Sequence, residues 1–370
     1  GVAAIRFMLG ERFRFHIDRT EDSASFVAIW YSLAAVIVAI VGAAIGPSWL
    51  RWQASTEDGY DRSHSLPRKY KDNPMKARLG VIGGSGLYDL PGLEDRREET
   101  VQTPWGQPSA ALRFGRIGST ELVFLPRHGD GHRLSPGGIN YRANIDALKR
   151  VGVTDIVSFS AVGSYKDDLA PGVFVVPDQL LDRTFARESS FFGNGCVAHV
   201  AFGDPFGPNL GRRVAEAARR AGVTIREGGT AVCMEGPQFS TRAESLFYKR
   251  LGYDIIGMTS MPEAKLAREA EITYCMCAMV TDFDCWHPDH ANVSVELVIH
   301  QVHHNTLAAR RVLEELAADF PAEREACPVG SHRALDFAII TAPEARDPAL
   351  VEKLDAVAGR VLRSPFPASH

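Results

Sequence analysis

The sequence predicts an α/β domain built on a central mixed sheet flanked by helices. Three observations carry that expectation. Strand-like and helix-like segments alternate from Leu79 onward. The stretch "ITYCMCAMV" (272–280) is uncharged, sulfur-rich and partly β-branched, as a strand buried on both faces of a sheet must be. Residues able to do chemistry collect just after the strands, where open α/β sheets place their sites.

Taken in order, "RLGVIGGSGL" is a short apolar strand entering a Gly-rich turn, and "ELVFLPRHG" (121–129) is a second strand ending in charged residues. "RANIDALKRVG" (142–152) has helical apolar spacing and is stopped by Gly152. "TDIVSFSAVGS" (154–164) is a strand followed by a small-residue loop, and "PGVFVVPDQLLDRT" (171–184) is a strand then a turn. "LGRRVAEAARRAG" (210–222), "AESLFYKRLG" and "MPEAKLAREAE" are helices, with "YDIIGMTS" (253–260) as a strand between the last two. Residues 293–320 form one long helical segment, and the tail beyond it carries a further helix.

The composition is that of a globular protein, 45% hydrophobic and 23% charged, with a net charge of −4. Domains that bind a nucleic-acid backbone are usually strongly basic, so no nucleic-acid partner is expected. Six cysteines without a CxxC pair imply a reducing, cytoplasmic catalytic body, with Cys275 and Cys277 as small core hydrophobes. The chain divides into an extension (1–74), a catalytic domain (75–320) and a C-terminal extension (321–370). Residues 26–45 are uncharged for twenty positions, enough for a transmembrane helix. Trp30, Tyr31, Trp49 and Trp52 stand where interfacial anchors would, ahead of a polar linker. Two readings stay open: inner-membrane anchoring through 26–45, or an upstream extension without a catalytic role before a body starting at Met75.

Chemistry is concentrated in six motifs. "GGSG" (83–86) lets backbone amides and the Ser85 hydroxyl approach an anion, although an ordinary turn has the same composition. It is neither a dinucleotide fingerprint nor a P-loop. Arg127 and His128 in "LPRHGDGH" suit a dianion clamp, the alternative being a surface ion pair. His132 lies four residues on, but Gly129 and Gly131 argue against the helix a two-histidine metal site would need. Ser160 and Ala161 open a small-residue loop, Phe239 in "GPQFSTRAES" can stack on a flat ring, and Met258 and Thr259 follow an apolar strand. In "TDFDCW", Asp282 and Asp284 sit two apart at a strand end and so face one side, with Phe283 on the other. A cap or surface turn would also use Asp. Side by side, one of the two carboxyls should hold its proton and be able to protonate a leaving group.

In order, "GVIGGSGLYD", "RHGDGHRLSPGGINYRAN", "AVGS", "DQLLDRT", "EGPQFSTRAES", "GMTSMPEAKLAREA" and "TDFDCW" resemble the 5′-methylthioadenosine phosphorylase branch of the trimeric purine nucleoside phosphorylases. The resemblance spans residues 78–320 and implies phosphorolysis of 5′-methylthioadenosine to adenine and 5-methylthioribose 1-phosphate. It implies no cofactor, inorganic phosphate being the co-substrate. Phosphate would lie on Ser85, Arg127, His128, Ser160, Ala161 and Thr259; the family often has threonine where this chain has Ser85 and Ser160. Phe239 and Ser240 would contact the purine, Met258 the ribose, and Asp282 and Asp284 the purine edge as catalytic carboxyls. Val295, Ile299 and His132 would surround the methylthio group. His199 matches a histidine donated by a neighbouring subunit of a homotrimer. A 5′-methylthioinosine or broader purine nucleoside phosphorylase is the near alternative, and a membrane-tethered nucleoside-binding protein without turnover the distant one.

Overall fold

The computed structural model describes residues 75–84, 86–288 and 295–363, leaving out the side chain of Leu297. The strands are β1 (Leu79–Gly83), β2 (Glu94–Glu99), β3 (Leu112–Ile117), β4 (Thr120–Pro126), β5 (Asp155–Ser164), β6 (Phe174–Val176), β7 (Gln179–Arg183), β8 (Ile225–Glu227), β9 (Thr230–Met234), β10 (Ile255–Gly257) and β11 (Thr273–Asp282). The helices are α1 (Tyr141–Arg150), α2 (Pro208–Arg220), α3 (Arg242–Arg250), α4 (Ser260–Glu269), α5 (Val295–Ala318), α6 (Pro348–Lys353) and α7 (Gly359–Leu362). Residues 26–45 lie outside the described set. Among the described residues no helix is long and apolar enough to cross a membrane.

The strands form one mixed sheet in the order β2-β3-β4-β1-β5-β10-β9-β7, with β11, β6 and β8 branching from β5. β5 organises it. Its first half pairs in parallel with β1 through Ser158, its far end pairs antiparallel with β10, and its whole length pairs in parallel with β11. Alternation along the central strands splits the core into two layers. Val157, Phe159, Cys275 and Cys277 pack toward α2 and α5, while Ile156, Met276, Ala278 and Val280 pack toward α1 and α4. Burial raises the Cys275 thiol to about 12, so it is an inert apolar filler.

Local signals explain the helix starts. The Asn140 side chain accepts from the Ala143 amide at the head of α1, and Thr241 with Glu244 makes a capping box on α3. The tail is a structural part of this body: Leu335, Leu354, Val357 and Ala358 join the core on the α1 and α4 side.

Three expectations are corrected. "PGVFVVPDQLLDRT" forms two strands, β6 and β7, which join different partners. Ser160 and Ala161 lie within β5 and not in a loop; their edge is open because β1 has ended at Ser158's partner and β10 begins only at Gly163. Strand β11 ends at Asp282, its register shifting between Val280 and Asp282, so Asp284 belongs to the turn beyond it.

Candidate active site

Because β1, β4 and β5 run parallel, their C-terminal ends bring Gly84, Arg127 and Ser160 to one end of the sheet. The Arg127 amide donates to the Gly83 carbonyl at 3.1 Å. Thr259, just beyond β10, places its hydroxyl 3.2 Å from that of Ser160, and both residues are buried. Ser85 lies outside the described residues.

Arg127 is neither an open clamp nor a surface ion pair. It is 3% exposed and spends four of its five N–H donors on Glu263, Ser158 and the Phe159 carbonyl. The forked face expected for a dianion is taken by the Glu263 carboxylate of α4, which also accepts from the Tyr274 hydroxyl at 2.9 Å. Burial works against the guanidinium charge, but the Glu263 charge and its hydrogen bonds together outweigh it and hold Arg127 firmly protonated. Its positive field and one N–H remain for a ligand.

His128 also departs from the clamp expectation. Its Nδ1 lies 2.8 Å from the Leu134 carbonyl, which can only accept, so Nδ1 carries the proton. Burial, then the neighbouring Arg127 charge, push its pKa down to about 4. The ring is therefore neutral near pH 7 and offers Nε2 as an acceptor. His132 stacks on it at 4.1 Å with the rings 12° apart. An NMR titration of the protein should find His128 uncharged from pH 8 to 5, with a midpoint near 4. Since the folded value lies below the unfolded one, this ring weakens the fold as pH falls from about 6.5 toward 4.

The opposite wall carries the carboxyl pair. Asp284 has φ 51°, a left-handed conformation that Asp tolerates, and its amide donates to Asp282 Oδ1 at 2.8 Å. This turn, not strand alternation, brings the pair together. Both flank Gly163: a Cβ there would stand 2.9 Å from Asp282 Oδ1 and 3.3 Å from Asp284 Cβ. Thr281 Oγ1 is 2.7 Å from Asp282 Oδ2 and 3.2 Å from the Val162 carbonyl, so its single proton can serve either oxygen. Burial raises the pKa of Asp282 against these contacts. For Asp284, burial again leads, reinforced by the Asp282 charge.

Around this pair, Phe239 is 42% exposed. The Cys285 thiol donates to the Ser240 carbonyl at 3.4 Å, tying the Phe239–Ser240 loop to the aspartate turn. Met258 packs on Gly236, where a Cβ would meet its sulfur at 2.6 Å and φ is 67°. Val295 and Ile299 are both exposed on the first turns of α5. His132 is brought to His128, whereas His199 is exposed on a segment whose amide donates to the Ala338 carbonyl at 2.8 Å.

Glu263 and Arg187 escaped the sequence reading. Arg187 is 1% exposed and donates to the Met258 and Met261 carbonyls, the Tyr141 hydroxyl and Glu235 at 2.7, 2.6, 3.0 and 3.0 Å. It locks Met258 and the start of α4 to the end of β9. The only warning was a lone arginine in an unassigned loop. A separate cleft lined by Asp155, Arg213, Thr273 and Cys327 opens at the N-terminal ends of β5 and β11, the wrong end of the sheet for a site of this kind.

The fold is shared with known proteins. Residues 78–318 match the Phosphorylase superfamily model, and residues 13–52 match a model described as Negative regulator of sigma F. The S-methyl-5′-thioadenosine phosphorylase of Bradyrhizobium diazoefficiens is 63% identical over 288 residues, 78% of this chain and 99% of the relative. A crystal structure of methylthioadenosine phosphorylase from an antarctic soil metagenomic library is similar with TM-score 0.71 at 44% identity, over 76% of this chain and 99% of that one. A variant of the Schistosoma mansoni adenosine/methylthioadenosine phosphorylase, in complex with methylthioadenosine, has TM-score 0.62 at 38% identity over 66% and 91%.

Proposed function

The chain belongs to the phosphorylase superfamily, and from that premise we infer that it catalyses phosphorolysis of 5′-methylthioadenosine to adenine and 5-methylthioribose 1-phosphate. The observation that carries this is the Asp282–Asp284 pair, Asp284 buried and Asp282 half-buried, at the same sheet end as the Ser160–Thr259–Arg127 group. The purine occupies the carboxyl side with Phe239 and Ser240 against it, and Met258 lies along the ribose. Phosphate occupies the other side, held by Ser85, Ser160, Ala161, Thr259 and the Arg127 charge, with the neutral His128 ring accepting a hydrogen bond from a phosphate hydroxyl at Nε2.

Cleavage breaks C1′–N9 while a phosphate oxygen forms its bond to C1′. Electrons left on the purine are neutralised by the Asp282 proton moving to N7, and Asp284 accepts from the 6-amino group. Charge thus develops between an anion held on one side and an acid on the other, which is the arrangement that stabilises a dissociating transition state. This chemistry asks for no metal or organic cofactor. A carboxylate at the 6-position favours an amino purine over an oxo purine, which is why methylthioadenosine is preferred here to methylthioinosine. The methylthio group meets Val295, Ile299 and His132, and in a homotrimer His199 of one chain completes the pocket of the next.

The test is base release by the purified full chain from methylthioadenosine, adenosine, methylthioinosine and inosine, with and without phosphate. Adenine should appear only with phosphate and fastest from methylthioadenosine. Preference for the oxo substrates would overturn the aspartate roles, and no release at all would favour the nucleoside-binding reading. We also propose that residues 26–45 tether a cytoplasmic body to the inner membrane, resting on their twenty uncharged positions. Removing residues 1–74 should then leave kcat/KM unchanged and abolish sedimentation with membranes.

A further inference from the structure

Three buried polar atoms beside the purine wall have no hydrogen-bond partner among the described residues: Asp284 Oδ2, Tyr165 Oη and Ser245 Oγ. Their residues are 5%, 1% and 0% exposed. They come from three segments: the turn after β11, the residue after β5, and α3. Asp284 packs its Cβ on Gly163, and Tyr165 stands two residues further along the chain, just past the end of β5. Ser245 projects from α3, whose Tyr248 ring lies 6.2 Å from the Tyr165 ring. Proximity is also visible in the ionisation of the group: after burial, the Asp284 charge is what most raises the Tyr165 phenol, and Ser245, Ser240 and Tyr165 all pull Asp284 the other way.

A buried hydroxyl left unpaired costs about 1–3 kcal/mol, and the same holds for a carboxylate oxygen. Two hydroxyls with unspent protons beside an unspent acceptor relieve all three costs by closing on one another. We propose that Tyr165 and Ser245 are positioning residues that donate to Asp284 Oδ2 and so keep this carboxyl an acceptor for a 6-amino purine. With Oδ2 engaged, Oδ1 is the oxygen left for the ligand. Asp282 has no comparable pair of hydroxyls, only the shared proton of Thr281, and so is the carboxyl suited to carry a proton. The hydroxyl neighbours therefore divide the work between two chemically identical side chains.

This proposal rests on the reading of the site as a purine pocket. The groups facing Asp284 are Asp282 at the end of β11, Tyr165 just beyond β5 and the Cys285 thiol in its own turn, with Tyr248 of α3 behind Tyr165. Two cations lie one step away: Arg242 donates to the Cys285 carbonyl and Lys249 to the Tyr165 carbonyl, each at 3.3 Å.

The test compares full-length wild type with Tyr165→Phe and Ser245→Ala, both of which keep the packing volume near that of the original. Calorimetric affinities for adenine and hypoxanthine are measured from pH 5 to 8. Tyr165→Phe should weaken adenine about tenfold, the worth of one hydrogen bond to a charged group, and leave hypoxanthine unchanged or tighter. Loss of a donor raises the Asp284 pKa, so the acid limb of adenine binding should move to higher pH. Ser245→Ala should do the same to a smaller degree. Equal losses for both purines with a fixed acid limb would assign Tyr165 a packing role and overturn the proposal, as would unchanged affinities. Wild type that binds neither purine would overturn the function itself, whereas selective wild type beside an unaltered variant overturns only this inference.

Discussion

Replacing Asp282 by asparagine should lower kcat for methylthioadenosine by about 10²–10⁴-fold, the usual worth of a positioned general acid. The substitution is nearly isosteric. Its amide oxygen still accepts from the Asp284 backbone, as Asp282 Oδ1 does at 2.8 Å, so the turn should survive. What disappears is the transferable proton. An acid works only while protonated, so wild-type activity should fall as pH rises through the raised Asp282 value, and this limb should vanish in the variant. Stability makes the complementary statement. A carboxyl with a folded pKa above its ordinary value of 3.8 binds more protons folded than unfolded between those two values. The fold therefore weakens as pH rises through that window. The asparagine variant loses that dependence and should melt no lower than wild type at pH 7. An undiminished kcat would show that another group protonates the base.

Glu263→Ala should produce the largest loss of stability. Glu263 is wholly buried and accepts from Arg127, Ser158 and Tyr274. Removing it strands a buried guanidinium that burial already disfavours, a change costing about 3–5 kcal/mol. Urea denaturation of the full chain reads this directly. Replacing both partners, with Arg127→Met and Glu263→Leu together, should cost less than Glu263→Ala alone, because no charge is left without a counterpart. If the double variant were the less stable, the pair would be a net source of stability and not merely a satisfied one.

Much of the frame was legible because burial pattern and period agree there. The uncharged run of β11, the helical spacing of α1 and α5, and the ordered glycine and charged motifs each follow from residues close in the chain. What stayed hidden depends on residues far apart. Glu263 in "MPEAKLAREA" looks like an ordinary exposed helix residue, but α4 is buried over nearly its whole length between the sheet and the C-terminal segment. Arg127 was expected to face a ligand and instead faces that glutamate. Asp282 and Asp284 come together through a left-handed residue after the strand and not through the two-residue period, which residue spacing alone does not reveal. Ser160 was assigned to a loop because nothing local reveals that β1 stops pairing at Ser158 while β5 continues.

The pairing of β5 with β11 also dictates when the molecule becomes whole. Asp155 lies opposite Thr273, so the central ladder joins segments separated by about half of the domain. Closing so long a loop is costly in chain entropy before any contact repays it. During synthesis β5 leaves the ribosome well before its neighbour exists, and until then it presents an open apolar edge on that side. Such an edge invites association with other chains, so the interval before β11 arrives is when this polypeptide most needs protection. The strand that ends the interval is also the one that delivers Asp282. Closure of the sheet and arrival of the proton donor are one event.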